Sequence, residues 1–253
     1  NHPLVTLAAG MDEGADKADL LLPRQDLGEV FPHAAIRWLQ AHGAQCQLGT
    51  RVERLTLNAQ SSSRWQILDA HFDHVVVATP AWDAASLVAP FNASWSRAAH
   101  ALTHEAIATV YVQAPIDVSL TQPMLLLASS TEAPAQFVFD RGQMMAQQDT
   151  PGLLAFVISA ANGSKQELEM KVLRQAQDLL RTLNMKLASD ALEVLQTVVE
   201  KRATFACTPQ LQRPAANPFE GLSVCGDYVA GPYPATLEGA VMSGCVAGRH
   251  AGA

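Results

Sequence analysis

Apolar residues recur along this chain in two rhythms, and the switches between them mark its elements. Over residues 29–42, Val30, Ala34, Ile36, Trp38, Leu39 and Ala41 fall at helical spacing, and Gly43 follows as a left-handed helix cap. Residues 45–48 alternate as a strand does. Residues 51–57 carry apolar Val52, Leu55 and Leu57, a polar run at 58–63 interrupts them, and residues 65–68 resume. That stretch predicts a β-hairpin with a polar tip. His74-Val75-Val76-Val77-Ala78-Thr79-Pro80 is a continuous β-branched run stopped by proline, the pattern of a strand buried on both faces at the centre of a sheet.

From residue 81 to 202 the rhythm is that of a second lobe. A helical stretch at 82–88 is followed by strand-like segments at 107–113, 125–128, 136–139 and 153–159, in the serial order of an antiparallel sheet. Residues 165–187 give the clearest helix, because Leu168, Val172, Leu173, Ala176, Leu179, Leu180 and Leu183 repeat at three- and four-residue steps. A strand at 194–202 returns the chain toward the first lobe, and Pro209, Pro214 and Pro218 mark irregular connection after it.

Composition narrows the class. With 49% hydrophobic and 16% charged residues, 253 residues are enough for a globular core and for two lobes. A net charge of -7 with no cluster of Lys and Arg argues against nucleic acid as a partner. Cys46, Cys207, Cys225 and Cys245 form no C-x-x-C pair, which suits buried, reduced thiols in a cytoplasmic protein. No apolar run is long enough to span a membrane. The opening Asn1-His2-Pro3-Leu4 has neither an initiator Met nor the features of a signal peptide, so the chain reads as beginning mid-protein.

Several local patterns have plain readings. His100, His104 and Glu105 lack the spacing of a zinc-protease site. Asn92-Ala93-Ser94 fits a glycosylation acceptor without a secretory signal. The apolar set Met124, Leu125, Leu126, Leu127, Phe137, Phe139, Phe156 and Ile158 suits either a tunnel for a hydrocarbon ligand or an ordinary core. Met144 and Met145 lie close to it in sequence.

The most informative segment is Leu222-Ser223-Val224-Cys225-Gly226-Asp227, a loop at 228–234, and a helix beginning near Ala235-Thr236. A strand ending in Gly-Asp lets a ligand approach the backbone and offers a carboxylate to ligand hydroxyls. The helix start presents unpaired N–H groups to whatever lies above. Small residues Gly239, Ala240, Ser243, Gly244, Ala247 and Gly248 allow close packing of that helix. These features alone also describe any α/β connection.

The string from Val224-Cys225-Gly226-Asp227 through Tyr233-Pro234-Ala235-Thr236-Leu237-Glu238-Gly239-Ala240 to Ser243-Gly244 resembles the closing FAD motif of flavin amine oxidases and phytoene/squalene desaturases. Leu48-Gly49-Thr50-Arg51-Val52-Glu53-Arg54-Leu55 resembles the strand of that family whose valine backbone pairs with adenine. Phe72-Asp73-His74-Val75-Val76-Val77-Ala78-Thr79-Pro80 resembles the strand ending beside the dinucleotide. The resemblance implies FAD as cofactor, with contacts from Val52, Ala78, Thr79, Pro80, Gly226, Asp227, Thr236, Leu237 and Glu238. Tyr228 and Tyr233 become candidate neighbours of the flavin ring.

Ala18-Asp19-Leu20-Leu21-Leu22-Pro23-Arg24-Gln25-Asp26-Leu27 followed by Phe31-Pro32 is similar to the squalene-associated branch, the hydroxysqualene dehydroxylases of hopanoid biosynthesis. That similarity implies an isoprenoid substrate, reductive loss of a hydroxyl to give squalene, and a possible peripheral membrane contact. An amine oxidase, a carotenoid desaturase and a non-catalytic ligand-binding domain are the alternatives. The fold implied is α/β. Residues 25–80 and 203–253 form part of a Rossmann-like FAD domain, 81–202 an inserted substrate lobe of mainly antiparallel sheet plus helices, and 1–24 a junction segment. The family's opening G-x-G-x-x-G turn occurs nowhere here, so the chain is expected to be part of a longer protein and to bind FAD weakly by itself.

Overall fold

The computed structural model describes residues 22–58, 64–144, 150–185, 188 and 190–252. Residues 18–21 of the squalene-branch pattern, the hairpin tip at 59–63, Met145, and the last two positions of the helix predicted to reach 187 lie outside them. In chain order the elements are α1 (Leu27–Val30), α2 (Pro32–Ala41), β1 (Thr56–Leu57), β2 (Trp65–Ile67), β3 (Ala70–Phe72), β4 (Val75–Val77), α3 (Ala81–Val88) and α4 (Ala93–His100). There follow β5 (His104–Gln113), β6 (Met124–Leu126), β7 (Phe137–Asp140), α5 (Arg141–Met144), β8 (Leu153–Ser159), α6 (Lys165–Thr182), β9 (Glu193–Phe205), β10 (Leu222–Val224) and α7 (Leu237–Ala251). The fold is a mixture of helices and sheets, as the α/β expectation requires.

Two compact units divide the chain at Cys46/Gln47, His104/Glu105 and Ala203/Thr204. The expected divisions at 24/25 and 80/81 are displaced. Residues 25–46 group with the large antiparallel sheet, and α3 and α4 group with β4 and β10. The physical reason is packing: Ala81, Ala84, Ala85, Val88, Trp95 and Ala99 share one apolar cluster with Val75, Val77, Leu222 and Val224.

The first unit is built on a five-stranded sheet of order β6-β7-β8-β5-β9. Antiparallel registers align Thr109 with Val157 and Tyr111 with Ala155, Phe137 with Val157, and Met124 with Phe139. Alternation along each strand then sorts side chains onto two faces. One face presents Ala108, Val110, Val112, Val138, Leu154, Phe156 and Ile158 to Leu168, Val172, Ala176, Leu179 and Leu180 of α6. Ser164 caps α6, its hydroxyl accepting from Glu167 N–H at 3.2 Å. Buried Gln175 fastens the helix to the loop before β7, accepting from Ala135 N and donating to Ala135 O, both at 2.9 Å.

The helix predicted over 29–42 is broken in two at Phe31-Pro32, because proline has no N–H to continue the ladder and serves instead at the start of α2. Gly43 ends α2 with φ +86°, as its left-handed cap requires. Residues 45–48 and 51–55 form no strand with any described residue, so the predicted strand at 45–48 is not formed and the hairpin's first arm is reduced to β1.

The second unit holds the antiparallel meander β1-β2-β3 and the parallel pair β10-β4. Trp65 is fully buried in β2, edge-on to Phe91 and Phe219. Gly221, at φ +72°, leaves room for it: a Cβ there would sit 2.8 Å from the indole nitrogen. The run at 74–80 was expected to be buried on both faces in mid-sheet. In the structure Val75 and Val77 are buried, Val76 is 39% exposed, and among the described residues β4 pairs only with β10. Beside that pair, His74 Nε2 lies 2.9 Å from the hydroxyl of buried Ser223, which in turn donates to Asn217 Oδ1 at 2.9 Å.

Asn92, the candidate glycosylation acceptor, is the N-cap of α4: its Oδ1 accepts from Trp95 N–H and its Nδ2 donates to Pro218 O, each at 2.9 Å. The four cysteines were expected to be buried. Cys225 is, Cys46 is half-buried, and Cys207 and Cys245 are exposed, since α7 buries only Ala247 and Cys207 follows the end of β9. Among the described residues no helix is long and apolar enough to cross a membrane.

Candidate functional site

Parallel pairing of Val77 with Val224 brings the ends of two strands together. Cys225 N–H donates to Val77 O at 2.9 Å, which extends the pairing by one step before Gly226 turns the chain. A Cβ at Gly226 would fall 2.5 Å from the ring of Tyr228, so the position accepts only glycine without rearrangement. Tyr228 itself is buried, and its hydroxyl donates to Thr79 O at 3.0 Å. Burial, helped by Cys225 and Asp227, pushes its phenol far above the ordinary tyrosine range. Tyr228 therefore acts as a tie between the two strand ends.

Asp227 follows, half-buried, and no hydrogen bond or ion pair to a described residue engages its carboxylate. Its backbone is held from behind. Arg213 donates to Asp227 O at 3.2 Å, to Tyr233 O at 2.7 Å and to Gly231 O, and its guanidinium lies 5.6 Å from the centre of the Phe205 ring. One planar cation thus gathers three carbonyls of the loop that joins β10 to α7.

The helix after that loop starts at Thr236, whose hydroxyl accepts from Gly239 N–H at 3.1 Å. The N–H groups of Leu237 and Glu238 have no acceptor among the described residues, and both side chains are exposed. They lie at the positive end of a 15-residue helix. Ser243, further along α7, accepts from Gly226 N–H at 2.9 Å and so joins the helix to the Gly-Asp turn.

Of the residues singled out in the sequence, these contacts link Thr79, Gly226 and Asp227 with the helix that Thr236 caps and that Leu237 and Glu238 begin. Ala78 is exposed beside Thr79, and Pro80 caps α3, its carbonyl accepting from Ala84 N–H at 3.0 Å. Val52 packs against the same apolar cluster, but no hydrogen bond joins it to the turn. Tyr233 is 39% exposed. Arg213 and Ser243 were not among the sequence candidates for the site. A guanidinium that binds backbone carbonyls leaves no spacing pattern, and Ser243, though small and inside the motif-like string, carries no signal in the sequence of its bond to Gly226.

The five-stranded sheet carries a second candidate surface. Its face opposite α6 presents rows aligned by the registers: Thr109, Val157, Phe137 and Leu126 on one, Tyr111, Ala155, Phe139 and Met124 on the next. Apart from buried Ala155, all of these are half-buried. The apolar set read from the sequence is thereby divided. Leu125, Leu127, Phe156 and Ile158 belong to the core under α6, while Met124, Leu126, Phe137 and Phe139 do not.

The sequence profile of the family described as flavin containing amine oxidoreductase matches residues 18–250. No curated protein sequence matches the chain. Among solved structures, it is similar to an oxidoreductase from Methanosarcina mazei, with 17% identity and a TM-score of 0.61 over 86% of this chain and 53% of that one. A putative protoporphyrinogen oxidase from Exiguobacterium sp. 255-15 gives 14% identity and a TM-score of 0.53, over 86% and 51%. Cyclohexylamine oxidase from Brevibacterium oxydans IH-35A gives 16% identity and a TM-score of 0.52, over 80% and 48%. The chain spans about half the length of these solved structures.

Proposed function

The chain belongs to the flavin containing amine oxidoreductases, and from that premise we propose that it contributes the flavin-side cradle and the substrate sheet of an FAD-dependent oxidoreductase acting on a long apolar isoprenoid. The observation that carries the cofactor reading is the carboxylate of Asp227, unengaged by any described residue, on a Gly-Asp turn that Ser243 joins to α7, a helix whose first two amides have no acceptor among the described residues.

The residues present fit one end of FAD. Asp227 accepts hydrogen bonds from ribityl hydroxyls, and the Leu237 and Glu238 amides stabilise negative charge on the flavin's pyrimidine edge. The missing side chain of Gly226 makes room for the Tyr228 ring, and its N–H is taken by Ser243, so its part is to shape the turn that carries Asp227. Ala78, Thr79 and Pro80 line the adjoining strand end, and the Val52 backbone receives the adenine. No Gly-rich pyrophosphate turn occurs in these 253 residues, so FAD retention by this chain alone is weak. When bound, FAD supplies two-electron chemistry, and the protein's part is placement and polarity.

The apolar sheet face supports the substrate reading, since a hydrocarbon chain offers little to bind except surface to bury. The finer proposal is reductive removal of the hydroxyl of hydroxysqualene. Bound in its reduced form, FAD would supply the hydride equivalent for that replacement, with the hydroxyl lost as water after taking up one proton. The similarity of residues 18–27 and Phe31-Pro32 to the squalene-associated branch supports it. Amine oxidation is the second reading, favoured by the likeness to cyclohexylamine oxidase. A lipid-dissolved substrate fits a cytoplasmic protein that touches a membrane surface.

The test is to purify the protein from its complete reading frame and measure bound flavin by absorbance. Hydroxysqualene, phytoene and primary amines are then offered in turn. Flavin retention that falls at least about tenfold in Asp227→Ala, with conversion of the isoprenoid, supports the proposal. A colourless protein overturns the cofactor reading, and turnover of amines alone overturns the substrate reading.

A further inference from the structure

We propose that two copies of this chain associate through β9, edge to edge and antiparallel, so that their two five-stranded sheets become one continuous sheet. The inference is independent of the flavin and substrate readings, because it rests on the edge of the sheet and not on its faces.

The order β6-β7-β8-β5-β9 leaves β9 outermost, with no strand beyond it among the described residues. It has 13 residues and no proline. Residues 198–202 are exposed without interruption, so side chains of both alternating sets reach solvent there. Leu195, Val198 and Val199 are 54%, 46% and 40% exposed. A long edge with apolar side chains is a template for another strand, and proline is one of the devices that would block it. Just past the segment proposed to pair, Arg202 N–H turns to its own Glu200 Oε1 at 3.1 Å.

The charges on β9 select both the occupant and the register. A two-fold axis at Thr197 sets residues equally distant from it opposite each other. Glu193 then faces Lys201 and Leu195 faces Val199, and each pair occurs twice across the junction. Val198 lies opposite Gln196 and Glu200 opposite Val194, so no like charges meet. Moving the axis one residue, to Gln196 or Val198, leaves Glu193 without a cation opposite it, and moving it to Glu200 or Lys201 sets that charge against itself. At the axis, Thr197 donates to Glu169 Oε1 at 2.6 Å, and Lys165 Nζ lies 3.8 Å from the same carboxylate. The acid brought toward its symmetry mate thus carries its own counter-charge. A strand complementary to itself in this way fits a second copy of the same strand.

The experiment is sedimentation velocity on the full protein, followed by zero-length carbodiimide coupling and peptide mass mapping. An edge pair is small for an interface, so the mass is expected to double between about 1 and 200 μM. Glu193 and Lys201 of one copy are separated by roughly 27 Å of extended strand, so a coupled Glu193–Lys201 pair arises only between copies. Lys201→Glu and Glu193→Lys should each weaken the dimer about tenfold, since each turns two attractive pairs into repulsive ones. Combining Glu193→Lys with Lys201→Glu exchanges the charges and should restore both dimer and coupling, which separates a lost contact from a lost fold. A protein that stays monomeric throughout the range overturns the inference. So does a dimer that either single reversal leaves intact, one that couples without the Glu193–Lys201 pair, or a double variant no tighter than the single ones.

Discussion

Ser243 and Gly226 are joined through both ends of one peptide unit's neighbourhood: the Ser243 hydroxyl oxygen accepts from Gly226 N–H at 2.9 Å and lies 3.0 Å from Gly226 O. Its single proton goes either to that carbonyl or to Ala240 O at 2.9 Å. Ser243→Ala leaves a partly buried amide without its partner and is expected to cost about 1–2 kcal/mol, read from the urea midpoint at unchanged slope. It also frees the Gly226 N–H for a ligand, so flavin affinity should fall by less than stability does.

Gly226→Ala is expected to be the more damaging change. The new Cβ meets the Tyr228 ring at 2.5 Å, and that ring is buried and tied to Thr79. Overpacking of this kind costs about 1–3 kcal/mol. In a double-mutant cycle with Tyr228→Leu the two losses should add to less than their sum, because the second change removes what the first collides with. Additive losses would show that the contact does not govern the turn.

The loop at 227–233 should loosen when Arg213 is lost. Arg213→Lys retains charge but not the planar fork that reaches three carbonyls. Limited proteolysis is expected to cut this loop several-fold faster in Arg213→Lys and faster still in Arg213→Ala. Equal rates in all three proteins would remove Arg213 from its positioning role.

A pH effect follows from His74. Burial first, and the nearby His250 second, lower its pKa below the ordinary histidine value of 6.5. The folded state therefore prefers the neutral ring, and the unfolded chain takes up the proton first. The stability contribution is complete above about pH 6.5 and is lost as pH falls through the lowered folded value. Melting temperature should drop on acidification from pH 7 to 5, and the drop should be smaller in His74→Gln and in His250→Ala.

The thiols should separate by reagent. Cys207 and Cys245 are exposed, and burial pushes the Cys225 thiol above its ordinary value. Brief maleimide treatment followed by peptide mass mapping should label the first two and spare Cys225. Label on Cys225 in the native protein would show that the strand end opens.

What the sequence disclosed was governed by local periodicity. The α6 helix was legible because its buried Leu168, Val172, Ala176, Leu179 and Leu180 repeat at helical steps, and Gly43 because a left-handed cap favours glycine. β3 was missed because it follows a two-residue turn at Leu68-Asp69, where Leu68 adopts φ +54° with no glycine or asparagine to announce it. The run at 74–80 was read as buried on both faces because composition reports apolarity and not what lies opposite, and Val76 is exposed. The Gly226-Asp227 turn was legible through its likeness to a known motif. The division of the apolar set between the two faces of the five-stranded sheet was not, because it depends on pairing between strands that are distant in sequence.

The parallel pairing of β10 with β4 also has a consequence for how the chain is made. His74 and Ser223, in contact through their side chains, are 149 positions apart. At a ribosomal rate of about 5–20 residues per second, the earlier strand waits roughly 7 to 30 seconds for its partner to be synthesised. During that interval the Val75–Val77 edge is unprotected and sticky, so expression at lower temperature or with added chaperones should raise the soluble yield of this protein.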